Sequence, residues 1–247
     1  MSAGPATQFQ ITPSTSPVTA GTAFSITVTA LDSSGATNAA YAGTVAFTSS
    51  DGSAVLPANS TLTSGVGTFP VTLKTAGDQT ITATDSVSLS LTSTSGPIKV
   101  IAGSATSFTV TAPATATAGV AFQAVVTAKD AFNNVATGYT GTVAITSTDS
   151  AGRMPANATL VNGTGTFTVE LRTAGSRTVT ARDTVTSSIT GTSGSITVSP
   201  ATAATLTVTT PSTATAGIAV NATVTAYDNF SNIATGYAGT VTYSGSD

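Results

Sequence analysis

Phe24-Ser25-Ile26-Thr27-Val28-Thr29-Ala30 alternates apolar and polar residues at every step. Successive side chains of a β-strand point to opposite faces of its sheet, so Phe24, Ile26, Val28 and Ala30 share one face and Ser25, Thr27 and Thr29 the other. The stretch predicts a half-buried strand. It returns twice downstream, with Phe122, Ala124, Val126 and Ala128 and then with Val220, Ala222, Val224 and Ala226 on the apolar face.

The return belongs to a repeat of the whole chain. Ala30-Leu31-Asp32 recurs as Ala128-Lys129-Asp130 and as Ala226-Tyr227-Asp228, an offset of 98 both times. Tyr41-Ala42-Gly43-Thr44-Val45 recurs at the same offset as Tyr139-Thr140-Gly141-Thr142-Val143 and Tyr237-Ala238-Gly239-Thr240-Val241. Gly67-Thr68-Phe69 matches Gly165-Thr166-Phe167, Thr75-Ala76-Gly77 matches Thr173-Ala174-Gly175, and Asp85 matches Asp183. The one slip lies earlier, where Phe9 aligns with Phe108 at 99, so the first copy holds one extra residue between Pro13 and Pro17. The third copy stops at Asp247, the equivalent of Asp51 and Asp149, and reads as a domain cut in half.

Other segments of each copy also carry a period of two. Val45 and Phe47 are expected to face inward, as are Val143 and Ile145; Phe69, Val71 and Leu73 match Phe167, Val169 and Leu171. Ile81 and Ala83 match Val179 and Ala181, and the closing strand carries Ile98 and Val100 or Ile196 and Val198. The opening strand carries Phe9 and Ile11, Phe108 and Val110, or Leu206 and Val208. Gly, Asn, Pro and Asp punctuate these runs as turn residues do, and no stretch sustains a helical period. The fold class is therefore all-β, with about seven short strands per copy, the pattern of an immunoglobulin-like β-sandwich without the antibody-type Cys and Trp. Outward positions are mostly Thr, which suits a wet strand face.

Composition narrows the chemistry. The chain has 247 residues, 40% hydrophobic but only 7% charged, and contains no Cys, His or Trp. Thr and Ser supply roughly a third of it. Without Cys there are no disulfides, zinc–thiolate sites or thiol nucleophiles. Without His the commonest general base and metal ligand are missing. Glu170 is the one glutamate, and the net charge is -3. Lys and Arg are scattered, which leaves no footprint for nucleic acid. No apolar run is long enough to enter a membrane. Met1-Ser2-Ala3-Gly4-Pro5 lacks the basic and apolar regions of a signal peptide.

The shared string runs Thr-Ala-x-Asp, Tyr-x-Gly-Thr-Val, Ser-x-Asp, Pro-Ala-Asn (Pro57-Ala58-Asn59, Pro155-Ala156-Asn157), Gly-x-Gly-Thr-Phe and Thr-Ala-Gly-x-x-Thr-Ile/Val-Thr-Ala-x-Asp. It resembles the tandem immunoglobulin-like repeats of large bacterial surface and secreted proteins, broadly the invasin type. The resemblance covers nearly the whole chain. It implies an extracellular or cell-surface rod or stalk that displays something else, and it transfers no functional residues, because the matching positions are core and turn.

Few residues offer chemistry. Ser has no His to activate it, and no Ser-x-x-Lys or Gly-x-Ser-x-Gly arrangement stands in place, so no enzyme is expected. Asp32, Asp130 and Asp228 each end a strand and are the candidate calcium ligands. Ca²⁺ takes six to eight oxygens, usually from several carboxylates. Asp and Asn also cap turns by bonding nearby backbone. Asp130-Ala131-Phe132-Asn133-Asn134 and Asp228-Asn229-Phe230-Ser231-Asn232 fit a turn, while Asp32-Ser33-Ser34-Gly35-Ala36 lacks the Asn that a recurring metal loop would keep. The turn reading is adopted, with no cofactor. Tyr41, Tyr139 and Tyr237 are expected to close one end of each sandwich, the hydroxyl bonding a loop backbone. Phe132 and Phe230 pack under that loop or against a neighbouring domain. Lys129 has Leu31 and Tyr227 as counterparts, so it is an outward, variable position and no isopeptide crosslink is expected.

The sequence thus divides into an immunoglobulin-like domain over 1–101, a second over 102–200, and a truncated third over 201–247 with its first three strands only. Linkers fall near Gly103-Ser104 and Pro200-Ala201. The expected function is a structural spacer whose partners are neighbouring repeats of the same chain. The alternative is an adhesin or ligand-binding module contacting a cell-surface protein or glycan through loops at a sandwich end.

Overall fold

A computed structural model describes residues 5–245 and contains strands without any helix among them. The first repeat runs β1 (Gln8–Pro13), β2 (Val18–Thr19), β3 (Ala23–Leu31), β4 (Thr44–Ser49), β5 (Ser60–Thr61), β6 (Val66–Thr72), β7 (Gly77–Gln79), β8 (Ile81–Asp85), β9 (Thr92–Thr94) and β10 (Ile98–Ile101). The second repeats this as β11 (Ser107–Thr111), β12 (Thr115–Thr117), β13 (Ala121–Lys129), β14 (Thr142–Ser147), β15 (Ala158–Thr159), β16 (Thr164–Glu170), β17 (Gly175–Arg177), β18 (Val179–Asp183), β19 (Thr190–Thr192) and β20 (Ile196–Ser199).

Every sheet draws its strands from one repeat. The first repeat gives β1-β3-β6, β2-β10-β7 and β5-β4-β8-β9, and the second gives β11-β13-β16, β12-β20-β17 and β15-β14-β18-β19. The quoted stretch lies at the centre of its sheet: Ile26 faces Phe69 on β6, and Val28 faces Ile11 on β1. Its apolar side is buried by the layer of β4 and β8. Ile26, Val28, Val45, Leu73, Ile81 and Ile98 are fully buried, and each such side chain contributes about 1.5–3 kcal/mol. Phe47 stays half-buried but packs its ring 4.9 Å from that of Phe69. Phe122, expected inside, is likewise only half-buried.

Ten strands per repeat exceed the expected seven because two expected strands change sheet. The opening run splits into β1 and β2 across the loop that holds the extra residue; β1 pairs with β3, while β2 pairs in parallel with β10. The run toward Ile81 splits at Thr80, with β7 on β10 and β8 on β4. β5 and β9 are short edge strands on the other sheet. On the wet faces threonines pair across strands, with Thr82 2.8 Å from Thr94, Thr84 2.7 Å from Thr92 and Thr180 2.9 Å from Thr192 between hydroxyl oxygens. Such cross-strand pairs stabilise a sheet locally, which gives the threonine richness a second role.

The third repeat departs from expectation. Among its described residues only β21 (Thr205–Thr209) and β22 (Thr223–Tyr227) form, paired antiparallel. The third strand, expected around Val241 and Tyr243, is absent, because the equivalent β4 is held by β5 and β8 and the chain has no counterparts of those strands. Val220 and Ala222 fall outside β22. The intended inward face is open: Val208 is 59% exposed where its equivalent Val110 is 8% exposed. Asp247 lies outside the described residues.

The chain forms two compact units. One is built from the residues up to Ala105 with Lys129–Gly138, the other from Thr106–Ala128 with the residues from Tyr139 on. The loop after β13 therefore belongs with the first repeat's unit, although its sequence belongs to the second repeat.

Candidate functional site

The aspartates at 32, 51, 85, 130, 149, 183 and 228 all accept backbone N–H groups. Asp51 ends the β4 run, where its carboxylate accepts the N–H of Lys74 at 2.6 Å, of Thr75 at 2.9 Å and of Ser53 at 3.0 Å, and the Thr75 hydroxyl at 2.6 Å. Asp149 does the same for Arg172, Thr173 and Ala151. These bonds fix the Thr-Ala-Gly turn in one shape. Burial pushes the Asp51 carboxyl up, but the bonds from Thr75, Lys74 and Ser53 outweigh it and hold the group below the usual carboxylate range.

Asp85 and Asp183 close a sandwich end with the tyrosines. The Tyr41 hydroxyl donates to Asp85 and the Tyr139 hydroxyl to Asp183. The partner is thus a carboxylate and not the loop backbone expected from sequence. The Tyr41 ring meets Phe9 edge-on at 5.5 Å, and Tyr139 meets Phe108 at 5.4 Å, so each ring does close the end of its core. The tyrosine bond, against the opposing effect of burial and with help from the N–H groups of Ser88 and Val87, holds Asp85 low. Burial, then the bond and charge of Asp85, push the Tyr41 phenol up.

The three calcium candidates each close a turn. Asp32 accepts the N–H of Ser34 and Ala36 and the Ser34 hydroxyl on one carboxylate oxygen. Asp130 accepts the N–H of Phe132 and Asn134 on one oxygen, and on the other the N–H of Gly103 and the Asn134 side-chain amide, all at 2.9 Å. Asp228 repeats this with Phe230, Asn232 and Ala201. The turn geometry is therefore present at all three. Among the described residues no three acidic side chains converge on a point. Burial raises the Asp130 carboxyl, and the bonds from Asn134, Gly103 and Phe132 overcome it and lower it.

Asn134 and Asn232 do more than close their loops. Asn134 Nδ2 donates to the Lys74 carbonyl oxygen at 2.8 Å, and its Oδ1 accepts the Ala76 N–H at 2.8 Å. Asn232 does the same to Arg172 and Ala174, at 2.8 Å each. Phe132 lies against Gly21, whose φ is +80° and where a Cβ would collide with the ring; Phe230 lies against Gly119 in the same way. Lys74 Nζ stands 5.8 Å from the Phe132 ring centre, and the Arg172 guanidinium 5.4 Å from that of Phe230. Of the two places expected for these phenylalanines, the surface of the preceding repeat is the one observed. Sequence reasoning took the asparagines as turn residues and missed their bonds to the preceding repeat. Their signal was the spacing Asp-x-Phe-x-Asn, present in two copies and missing from the first. Lys129 donates to the Asn133 carbonyl oxygen at 3.2 Å, within its own loop.

No family model matches the chain, and no curated protein matches it. Solved structures do. The chain is similar to FdeC, described as a broadly conserved Escherichia coli adhesin, at 20% identity and a TM-score of 0.50, covering 95% of this chain and 78% of that one. It is also similar to InvD of Yersinia pseudotuberculosis, at 19% identity and a TM-score of 0.41, covering 91% and 71%. Invasin, a bacterial integrin-binding protein, matches at 18% identity and a TM-score of 0.40, covering 92% and 48%. The chain carries the fold of tandem immunoglobulin-like β-sandwiches.

Proposed function

We propose that this chain is a structural spacer in an extracellular bacterial protein, placing another part of that protein away from the cell surface. The observation that carries this reading is the use made of the recurring polar side chains. Asp51, Asp85, Asp130, Tyr41 and Asn134, with Asp149, Asp183, Asp228, Tyr139 and Asn232, all point their polar atoms at the chain itself. A spacer needs a unit that folds on its own and can be copied, and stability then adds up from repeats and their neighbour contacts. The function is non-catalytic, and cell-surface proteins come into play only through whatever the spacer displays. The test is a binding measurement on the purified chain. It is expected to show no saturable binding to host cells or to a panel of glycans. Saturable binding that loop substitutions abolish would replace this reading.

The second reading, an adhesin module binding a protein or glycan, is favoured by one feature. Val87 and Val185 occupy equivalent end loops and are both 89% exposed. Changing both to Ser is the substitution that would separate the readings: it lowers cell binding in an adhesin and leaves a spacer unaffected.

A further inference from the structure

We propose that the loops Asp130–Asn134 and Asp228–Asn232 are docking plugs. Each is recognised by a socket on the preceding repeat, and the partner that fits this socket is an Asp-x-Phe-x-Asn loop of another copy of the repeat. The inference goes beyond the spacer reading and does not depend on it.

The socket has three parts, all in the same compact unit as the loop that fills it. The first is the turn at Lys74–Ala76, rigidified from behind by Asp51. It turns the Lys74 carbonyl and the Ala76 N–H toward the loop, spaced for a primary amide to donate and accept at once. The second is Gly21, in the left-handed region, which leaves room for a ring where any side chain would collide. The third is the Lys74 cation over that ring. The plug supplies the matching parts in order. Asp130 shapes the loop and takes the Gly103 N–H, Phe132 fills the space over Gly21, and Asn134 reads the turn. The second socket uses Arg172, Thr173, Ala174 and Gly119 for Phe230 and Asn232.

The third repeat separates docking from ordinary loop folding. Its sandwich is incomplete and its apolar face is exposed. Even so, Asp228 and Asn232 are buried and make the same set of bonds as Asp130 and Asn134. The bonds from the loop to the preceding repeat therefore do not require a finished domain around it. In the first repeat the plug positions hold Ser34 and Ala36, so this loop has neither the ring nor the amide to fill such a socket.

Hydrogen exchange on the whole chain tests this. In Asn134→Ala the Ala76 amide is expected to exchange about tenfold faster, the scale of one lost hydrogen bond, while the Ala174 amide is unchanged. Asn232→Ala should do the reverse. Phe132→Ser, which copies the first repeat, and Gly21→Ala, which blocks the socket from its own side, should each also free the Ala76 amide. Combining Gly21→Ala with Asn134→Ala should add little further. Unchanged Ala76 exchange in both Asn134→Ala and Phe132→Ser overturns the proposal. So does acceleration spread evenly over the strand amides of the second repeat, which would make Asn134 a residue of general stability.

Discussion

Tyr139 and Asp183 are 44 residues apart, yet the tyrosine bond holds the Asp183 carboxyl low, while burial, then the bond and charge of Asp183, push the Tyr139 phenol up. The carboxyl is held low, so its contribution to stability is complete above the usual carboxylate range. It is lost as acidification carries the pH below about 4 and through the lower folded value. The phenol is held high, so its contribution is complete below about pH 10 and fades as the pH rises further. Tyr139→Phe should cost the second repeat about 1–3 kcal/mol, because a buried carboxylate loses a charge-assisted bond. Urea midpoints followed against pH should lose that repeat's alkaline fall and show a smaller acid fall, since the Thr186 and Val185 N–H groups still bond the carboxylate but its strongest partner is gone. The aspartates at 32, 130 and 228 lead to a second expectation. A cation there would displace N–H donors that already fill the carboxylates, so EDTA should shift the melting temperature by no more than about two degrees. A drop of ten degrees would return calcium to these loops. Sequence alone made the recurrence of these residues visible, and with it the turn reading. The Tyr–Asp partnership was not visible, because nothing local says which of several recurring loops will meet at one end of a sandwich.

Strand assignment shows a similar division. Alternation exposed the inward sets of β3, β6 and β8 because one face of each is dry and the other wet. It could not expose the changes of sheet, since a strand that crosses between sheets at Thr80 keeps its period of two on both sides. Differences between copies are more informative at this scale. Ser93 on β9 accepts the Phe9 N–H at 2.9 Å through its hydroxyl. Its counterpart on β19 is Gly191, where an added Cβ would run into the Phe108 carbonyl. The same strand pair is thus closed by a side chain in one repeat and by direct backbone approach in the other. Gly191→Ala should therefore destabilise the second repeat by about 1–3 kcal/mol, the usual cost of overpacking. Gly194→Ala, in open space two residues beyond β19, should change little. Thermal melts of the two variants check this; equal melting temperatures would mean that β19 can move away from β11 at no cost.

Across the molecule, stability should follow the completeness of each repeat. The first two bury most of their inward sets, whereas the third has two strands with that set largely in solvent. A lone pair of strands recovers too little apolar burial to offset the entropy of ordering it. The Asp228–Asn232 loop is anchored independently by Arg172 and Ala174. The third repeat should then show an inverted order of protection, in which a loop outlasts its strands. In a verified monomer, amides of Thr223–Tyr227 should exchange about a hundredfold or more faster than those of Ala121–Lys129. The Phe230 and Asn232 amides, held by Asp228, should exchange more slowly than the β22 amides beside them. Strong protection of β22 in a monomer would mean that two strands suffice without a facing sheet. Protection that appears only on self-association would mean that the open edge of β22 has recruited a strand from a second chain, as an unpaired edge tends to do.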